Sequence, residues 1–443
     1  MGNPALTSGR LSRTLASRHA DLAAGHEPEL RIEHRQALIY TLAKAAELEH
    51  LIVCQYLFAG FSLKRDAREG LPEAMVPTVR GWAKTLMQLA EQEMLHMALV
   101  QNLLTAVGAS PHLSRPSFPV PPRAFPARIR IVLLPFGEEA LKHFAFLERP
   151  EGDPIADVEM FAALEQAQPL PDVEEDQIGP IATDFETISH LYRSIEDGLQ
   201  RLAERMGEER LFIGPVGAQA TGEHFRFPEL VAVTDLQSAR TAIGTIVEQG
   251  EGARGEWRDA HFGRVLAVLD ELVAARQADA AFDPVRPVLA AYVRPPESGI
   301  SVPLISYRFT VRAMDLLNAT YEVVLQVLAR YFNRTDESDA QLSTLAGVAF
   351  YLMEEAISPL GDLVTRLPIG EDYPGKTAGP TFELFYDADW LLPHRDAAWQ
   401  VIGERLTELA DFATACRDEC PVGFIRELTV VSDKLRDLAA RFA

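Results

Sequence analysis

Apolar positions recur at intervals of three and four through most of the chain, the period of helices buried along one face. In residues 81–107 (GWAKTLMQLAEQEMLHMALVQNLLTAV) the stripe runs Leu86, Leu89, Glu93, His96, Val100, Leu103, Val107. A carboxylate and an imidazole therefore occupy two positions that periodicity assigns to the core. Residues 34–63 repeat the anomaly, with the stripe Leu38, Leu42, Ala45, Glu49, Ile52, Tyr56. The connection between these helices, residues 64–73, is short, so they are expected to lie antiparallel. At about 1.5 Å per residue, Glu49 and Glu93 then reach similar depths in the hairpin.

An unpaired carboxylate in a core costs several kcal/mol or more, roughly, unless something compensates it. A metal ion compensates it. One Glu from one helix and a Glu-x-x-His from its neighbour form half of the di-metal site of carboxylate helix bundles. A single such motif is more often a solvated surface pair; two matched helices make the metal reading specific. Glu47 and His50 fall off the stripe and are expected at the surface or behind the ligands. Tyr56 lies two turns from Glu49 on the same face. It is either a core aromatic or a catalytic residue that hydrogen-bonds a ligand glutamate or relays an electron.

The rest of the chain is also mainly helical. Residues 108–181 form a long proline-rich insert, containing RIRIVLLPF as a short strand or extended segment and GEEALKHFAFLERPEG as a short helix or two. Such an insert suits a crossover connection covering an active site. A third helix spans residues 182–206, with the seam Phe185, Ile188, Tyr192, Ile195, Leu199, Leu202. A fourth starts after Thr234 or Asp235, either of which can cap it, and carries Glu248 and Glu251 near its end. His261 opens the next helix. Glu248, Glu251 and His261 are the candidates for the second half of the site. On the third helix His190 is about 200° from Ile188, facing away from the stripe. Residues 285–303 read as extended, followed by helices over about 306–333, 338–366, 393–417 and 423–441. The expected organisation is a flexible arm (1–33), an all-α metal-binding bundle (34–290, with the insert 108–181) and a C-terminal helical region packed on it (291–443).

Composition narrows the function. The net charge is −22, with 42 basic against 64 acidic residues, which argues against nucleic acid as a partner. No apolar run approaches the ~18–20 residues of a membrane span. Three cysteines, Cys54, Cys416 and Cys420, do not make a disulfide framework and suit a reducing, cytoplasmic compartment. The N-terminal stretch lacks the apolar core of a secretory signal. No phosphate loop, dinucleotide fingerprint or Ser-His-Asp arrangement is evident.

The runs ELEHLIVCQYLFAGFSL, EQEMLHMALVQNLLTAVGASP, VEQGEG followed by HF, and TAGPTFE, in this order, resemble the ferritin-like iminophenyl-pyruvate dimer synthase family. The likeness extends over about residues 34–417. It implies a ferritin-like bundle with extra C-terminal helices, and an oxidative enzyme of secondary metabolism that couples amino-acid-derived imines. It further implies Glu49, Glu93, His96, Glu251 and His261 as first ligands to test. His190 departs from the family, where an acid is the more usual residue, and so joins the ligand candidates. The expected cofactor is iron, one or two ions, with manganese as the other metal that fits; the expected partners are a small-molecule substrate and O₂ or peroxide. A homodimer is compatible with the added helices. The competing readings are a non-catalytic or ferroxidase-type metal-binding protein, and peroxide consumption by a manganese-catalase-like site.

Overall fold

The computed structural model describes residues 30–121, 124–125, 129–150, 185, 187–252, 257–296, 299–385 and 391–443. The expected arm up to residue 29, residues 151–181 of the insert, and the start of the third helix at 182–184 lie outside the described residues.

Helix α1 (Arg35–Ser62) and α2 (Val76–Ala106) form the long hairpin that periodicity predicts. A proline in the first turn of α2 suits a position whose N–H has no helical partner. In the insert, α3 (Glu138–Leu147) is the short helix expected there. Residues 129–135, read as a possible strand, carry no regular structure. They run along α1, where Gln55 Nε2 donates to the Val132 carbonyl at 2.8 Å. Helix α4 (Ile188–Met206) starts at Thr187, whose hydroxyl accepts from the His190 N–H. Helix α5 (Leu236–Gly250) is capped by Asp235 in a reciprocal pair with Ser238, and α6 (His261–Ala278) begins at the histidine itself.

Four of these helices close a ring. α1 packs on α2, α2 on α5, α5 on α4, and α4 back on α1. α3 packs mainly on α6, which also touches α2 and α5. The centre of this ring is where the mid-stripe acids point.

The C-terminal region adds α7 (Arg308–Phe332), α8 (Asp339–Leu352), α9 (Ser358–Val364), α10 (Arg395–Glu419) and α11 (Ile425–Ala439). The single helix expected over residues 338–366 is interrupted by a π-helical turn at Met353–Ile357. Pro359 lies just beyond the turn, and its missing N–H removes a helical bond there. α10 and α11 form a hairpin against α7 and α9. The stretch expected to be extended contains β1 (Val288–Leu289), paired in parallel with β2 (Thr377–Ala378) of the TAGPTFE run. Gly379 follows β2 because a Cβ there would sit 2.2 Å from the Phe58 ring of α1.

α1 is buried almost all round, unlike a helix on a bundle surface. α2 and α4 cover one side; α9 and Tyr321 of α7 approach the other. No helix among the described residues is long and apolar enough to cross a membrane.

Candidate metal centre

Glu49 of α1 and Glu93 and His96 of α2 meet inside the ring, as their stripe positions require. They are 1%, 1% and 2% exposed. His261 joins them from the first turn of α6, and Glu148 from the residue after α3. The five side chains form two groups with ligand atoms within 4.8 Å: Glu49–Glu93–His96 and Glu93–Glu148–His261. Glu93 is common to both. His96 Nδ1 lies 3.0 Å from Glu93 Oε2 and 3.6 Å from Glu49 Oε2. His261 Nδ1 lies 2.7 Å from Glu93 Oε1 and 3.5 Å from Glu148 Oε1. The two imidazoles stack with centroids 5.3 Å apart.

The charges in this cluster are interdependent. Burial pushes the Glu49 carboxyl up, reinforced by the charge of Glu93, to about 8. Burial also acts to raise Glu93, but the charges of His261 and His96 outweigh it and hold Glu93 well below the usual carboxylate range. His261 is raised to about 9 and His96 well above its ordinary value, both against burial and chiefly by Glu93. Without a metal, protons on the histidines supply the positive charge that these acids require.

The donor set fits a metal ion. Three carboxylates and two imidazoles suit iron or manganese, with oxygen and nitrogen ligands and no thiolate. The 2.7 Å approach of His261 Nδ1 to Glu93 Oε1 lacks hydrogen-bond alignment, and both atoms are buried without a hydrogen-bond partner among the described residues. Two buried atoms this close, with no aligned hydrogen bond between them, would suit a cation in place of the imidazole proton.

Two tyrosines hydrogen-bond the carboxylates from outside the cluster. Tyr192 of α4 donates to Glu49 Oε1, and Tyr56 of α1 donates to Glu148 Oε1 at 2.7 Å. Burial first, then Glu148 and Glu93, push the Tyr56 phenol well above its ordinary value, so it remains a donor. Gln249 of α5 places Oε1 3.0 Å from His96 Nε2.

The remaining candidates lie apart from these two groups. Glu248 is exposed on α5. Glu251, one residue beyond α5, is 3.9 Å from Arg193 and borders a crevice that also involves Glu148, Ser189, Tyr192 and Gly250. The crevice offers about 10 Å³, the space of a single water molecule. His190 is buried in the first turn of α4 rather than on the surface, outside both groups. His50, expected at the surface or behind the ligands, is buried on the far side of α1, where it meets Tyr321 and the Leu113 carbonyl. Burial and Arg115 depress its pKa well below the ordinary value.

Glu148 is the cluster member that the sequence reading missed. Its signal was present: Leu141, Phe144 and Glu148 continue one three-four stripe, with the acid at its end. The same anomaly identified Glu49 and Glu93.

Comparison with known proteins is consistent with this bundle. The ferritin-like family model matches residues 42–269. The dichlorochromopyrrolate synthase of Lentzea aerocolonigenes is 27% identical over 442 residues, covering 91% of this chain and 41% of that protein. The 2-imino-3-(indol-3-yl)propanoate dimerase of Chromobacterium violaceum is 27% identical over 376 residues, covering 79% of this chain and 34% of that protein. The chain thus spans about two fifths and about one third of the length of these two relatives. A crystal structure of a ferritin-like protein from Caulobacter vibrioides aligns at 21% identity with a TM-score of 0.43, over 73% of this chain and 96% of that one.

Proposed function

Because the chain belongs to the ferritin-like family, we propose that it is a metal-dependent oxidative enzyme of secondary metabolism that joins two amino-acid-derived imines. The observation that carries this reading is the enclosed cluster of three carboxylates and two histidines built around Glu93. The names of the two curated relatives, a synthase and an imine dimerase, support the substrate class.

Glu49, Glu93, Glu148, His96 and His261 would hold the metal, and iron is the metal proposed. When bound, it supplies one-electron redox chemistry and activation of dioxygen or peroxide. The chain's own residues supply the setting. Tyr56 and Tyr192 keep the carboxylates of Glu148 and Glu49 hydrogen-bonded and fixed in direction. Aliphatic residues above and below Glu93, including Leu89 and Val100, exclude water from the centre. Joining two imine carbons releases two protons and two electrons, so an oxidant of the dioxygen or peroxide class accepts the electrons.

The test combines metal analysis with product analysis. Protein expressed with added iron, and its Glu93→Ala variant, are assayed by elemental mass spectrometry and circular dichroism. The expected result is about one or two irons per chain, the number a carboxylate-histidine bundle holds, lost in the variant with helical content retained. The unaltered protein supplied with an aromatic 2-imino acid and oxidant should then form a product of dimeric mass. Equal metal in both proteins, or no metal in either, would refute the proposal.

A further inference from the structure

We infer that the two metal positions are inequivalent and fill in order: the Glu49–Glu93–His96 position first, secured by Gln249, and the Glu93–Glu148–His261 position second. This rests on the reading of the cluster as a metal centre, and goes beyond it by assigning a role to Gln249 and an order to the ions.

Both imidazoles turn Nδ1 toward the carboxylates. Nδ1 is therefore the ligating atom in each, and a neutral ligating imidazole carries its proton on Nε2. The surroundings of the two Nε2 atoms differ. His96 Nε2 faces Gln249 Oε1 at 3.0 Å, an oxygen that can only accept. That contact holds the ring orientation before any ion arrives and keeps the proton on Nε2 when Nδ1 gives up its own to a metal. His261 Nε2 is buried and has no hydrogen-bond partner among the described residues. Its ring, 0% exposed, would have to take up a metal while leaving an N–H unsatisfied.

The carboxylates show the same asymmetry independently. Glu49 accepts the Tyr192 hydroxyl on Oε1 and turns Oε2 toward His96. Its inward oxygen is therefore free of that hydrogen bond. Glu148 accepts the Tyr56 hydroxyl on Oε1, the same oxygen that faces His261. A phenol donating to the ligating oxygen withdraws electron density from it. Each difference favours the His96 position.

Gln249 thus acts as a positioning residue through His96, not as a ligand. A neutral amide in this place orients the imidazole without adding a second negative charge behind it. The residue sits in the last turn of α5, next to Gly250. At Gly250 an added Cβ would approach Glu148 Oε2 to 3.4 Å, so the same turn faces the second position as well.

The test is a titration of the full chain with cobalt(II) under nitrogen, followed by visible absorption and by competition with a chromophoric chelator. Two binding events separated by at least about ten-fold are expected. Gln249→Leu should weaken the tighter event about 10- to 100-fold, the usual effect of removing a ligand's hydrogen-bond partner, and change the weaker one little. Gln249→Glu, which restores an acceptor, should recover the tight event. Glu148→Gln should weaken only the second. Circular dichroism checks that each variant is folded. A single event that Gln249→Leu weakens and Glu148→Gln spares also supports the assignment. Two equal events, a tight event untouched by Gln249→Leu, or one weakened by Glu148→Gln overturns the order while leaving the metal centre standing. Failure of the unaltered protein to bind cobalt overturns both.

Discussion

Replacing Glu93 by glutamine separates the metal role of this side chain from its structural one. Glutamine keeps the shape and removes the charge. In the ion-free protein each imidazole retains one carboxylate, Glu49 at 3.6 Å from His96 and Glu148 at 3.5 Å from His261. Glu93 itself approaches the two rings to 3.0 and 2.7 Å, and forfeiting that attraction is offset by one fewer buried charge. Ion-free stability is therefore expected to fall, by less than the roughly 3–5 kcal/mol of a buried ion pair left with no partner. The bound form behaves differently. Metal at about 100 times its dissociation constant stabilises the native protein by about 2.7 kcal/mol. In a chain of this size that corresponds to a rise in melting temperature on the order of 3 °C. Glu93 belongs to both candidate ligand groups, so Glu93→Gln should lose the whole rise. Scanning calorimetry with and without ferrous ion under nitrogen measures it. A variant that melts as the unaltered protein does without metal, and still gains the full increment with it, would refute the assignment of Glu93 as the shared ligand.

Three further substitutions probe other links. Tyr56→Phe removes the donor to Glu148 and should cost about 1 kcal/mol of stability while metal content is kept and product formation falls; unchanged turnover would exclude Tyr56 from the chemistry. Tyr321→Phe leaves the buried His50 Nε2 without a partner and should cost about 1–3 kcal/mol in urea unfolding, with metal content unaffected; a neutral result would mean that water reaches that pocket. Arg286 ties Glu69 at 2.6 Å to Asp362 at 2.8 Å, both partly exposed, so Arg286→Met should cost about 2 kcal/mol near neutral pH. Burial acts to raise the Glu69 carboxyl, but the Arg286 hydrogen bonds outweigh it and lower its pKa below 4.5. The stability from this pairing is therefore complete above pH 4.5 and lost as pH falls through the lowered value. The gap between Arg286→Met and the unaltered protein should close on acidification, and a gap independent of pH would contradict the linkage.

Glu49, Glu93 and His96 were legible because a helix fixes the direction of its side chains. Once the stripe was known, an acid within it had to face inward, and the structure buries all three. His261 was readable only as a histidine after a glycine-containing turn; its approach depends on how α6 docks against α2 and α5. Glu148 required two levels of information. Its stripe in α3 was too short to stand out, and its depth is set by α3 packing on α6, far away in sequence. The acids at the end of α5 show the opposite problem. Helical period places Glu248 toward solvent, whereas Gln249, one residue on, reaches His96. A neutral amide raises no burial anomaly, so nothing in the hydrophobic pattern marks it. His190 was expected to face outward, and His50 to lie at the surface or behind the ligands, because a single-helix stripe cannot register what covers the other side.

That other side bears on the carboxylate–histidine cluster. Adjacent helical residues differ by about 100° in direction, so Glu49 faces the bundle while His50 faces α7. His50 Nδ1 lies 3.0 Å from the Leu113 carbonyl, which can only accept, so Nδ1 holds the proton and Nε2 accepts from the Tyr321 hydroxyl. Arg115 braces the same pocket, its guanidinium 5.6 Å from the Tyr321 ring and donating to the Phe382 carbonyl at 2.6 Å. Rotating α1 about its axis would break Tyr192–Glu49 on one side and Tyr321–His50 on the other, and would leave buried polar groups exposed to neither water nor partner. These opposed contacts hold α1 in one rotation. The C-terminal helices therefore help to orient Glu49 without touching the centre, which gives residues beyond the four-helix ring a part in the site's geometry.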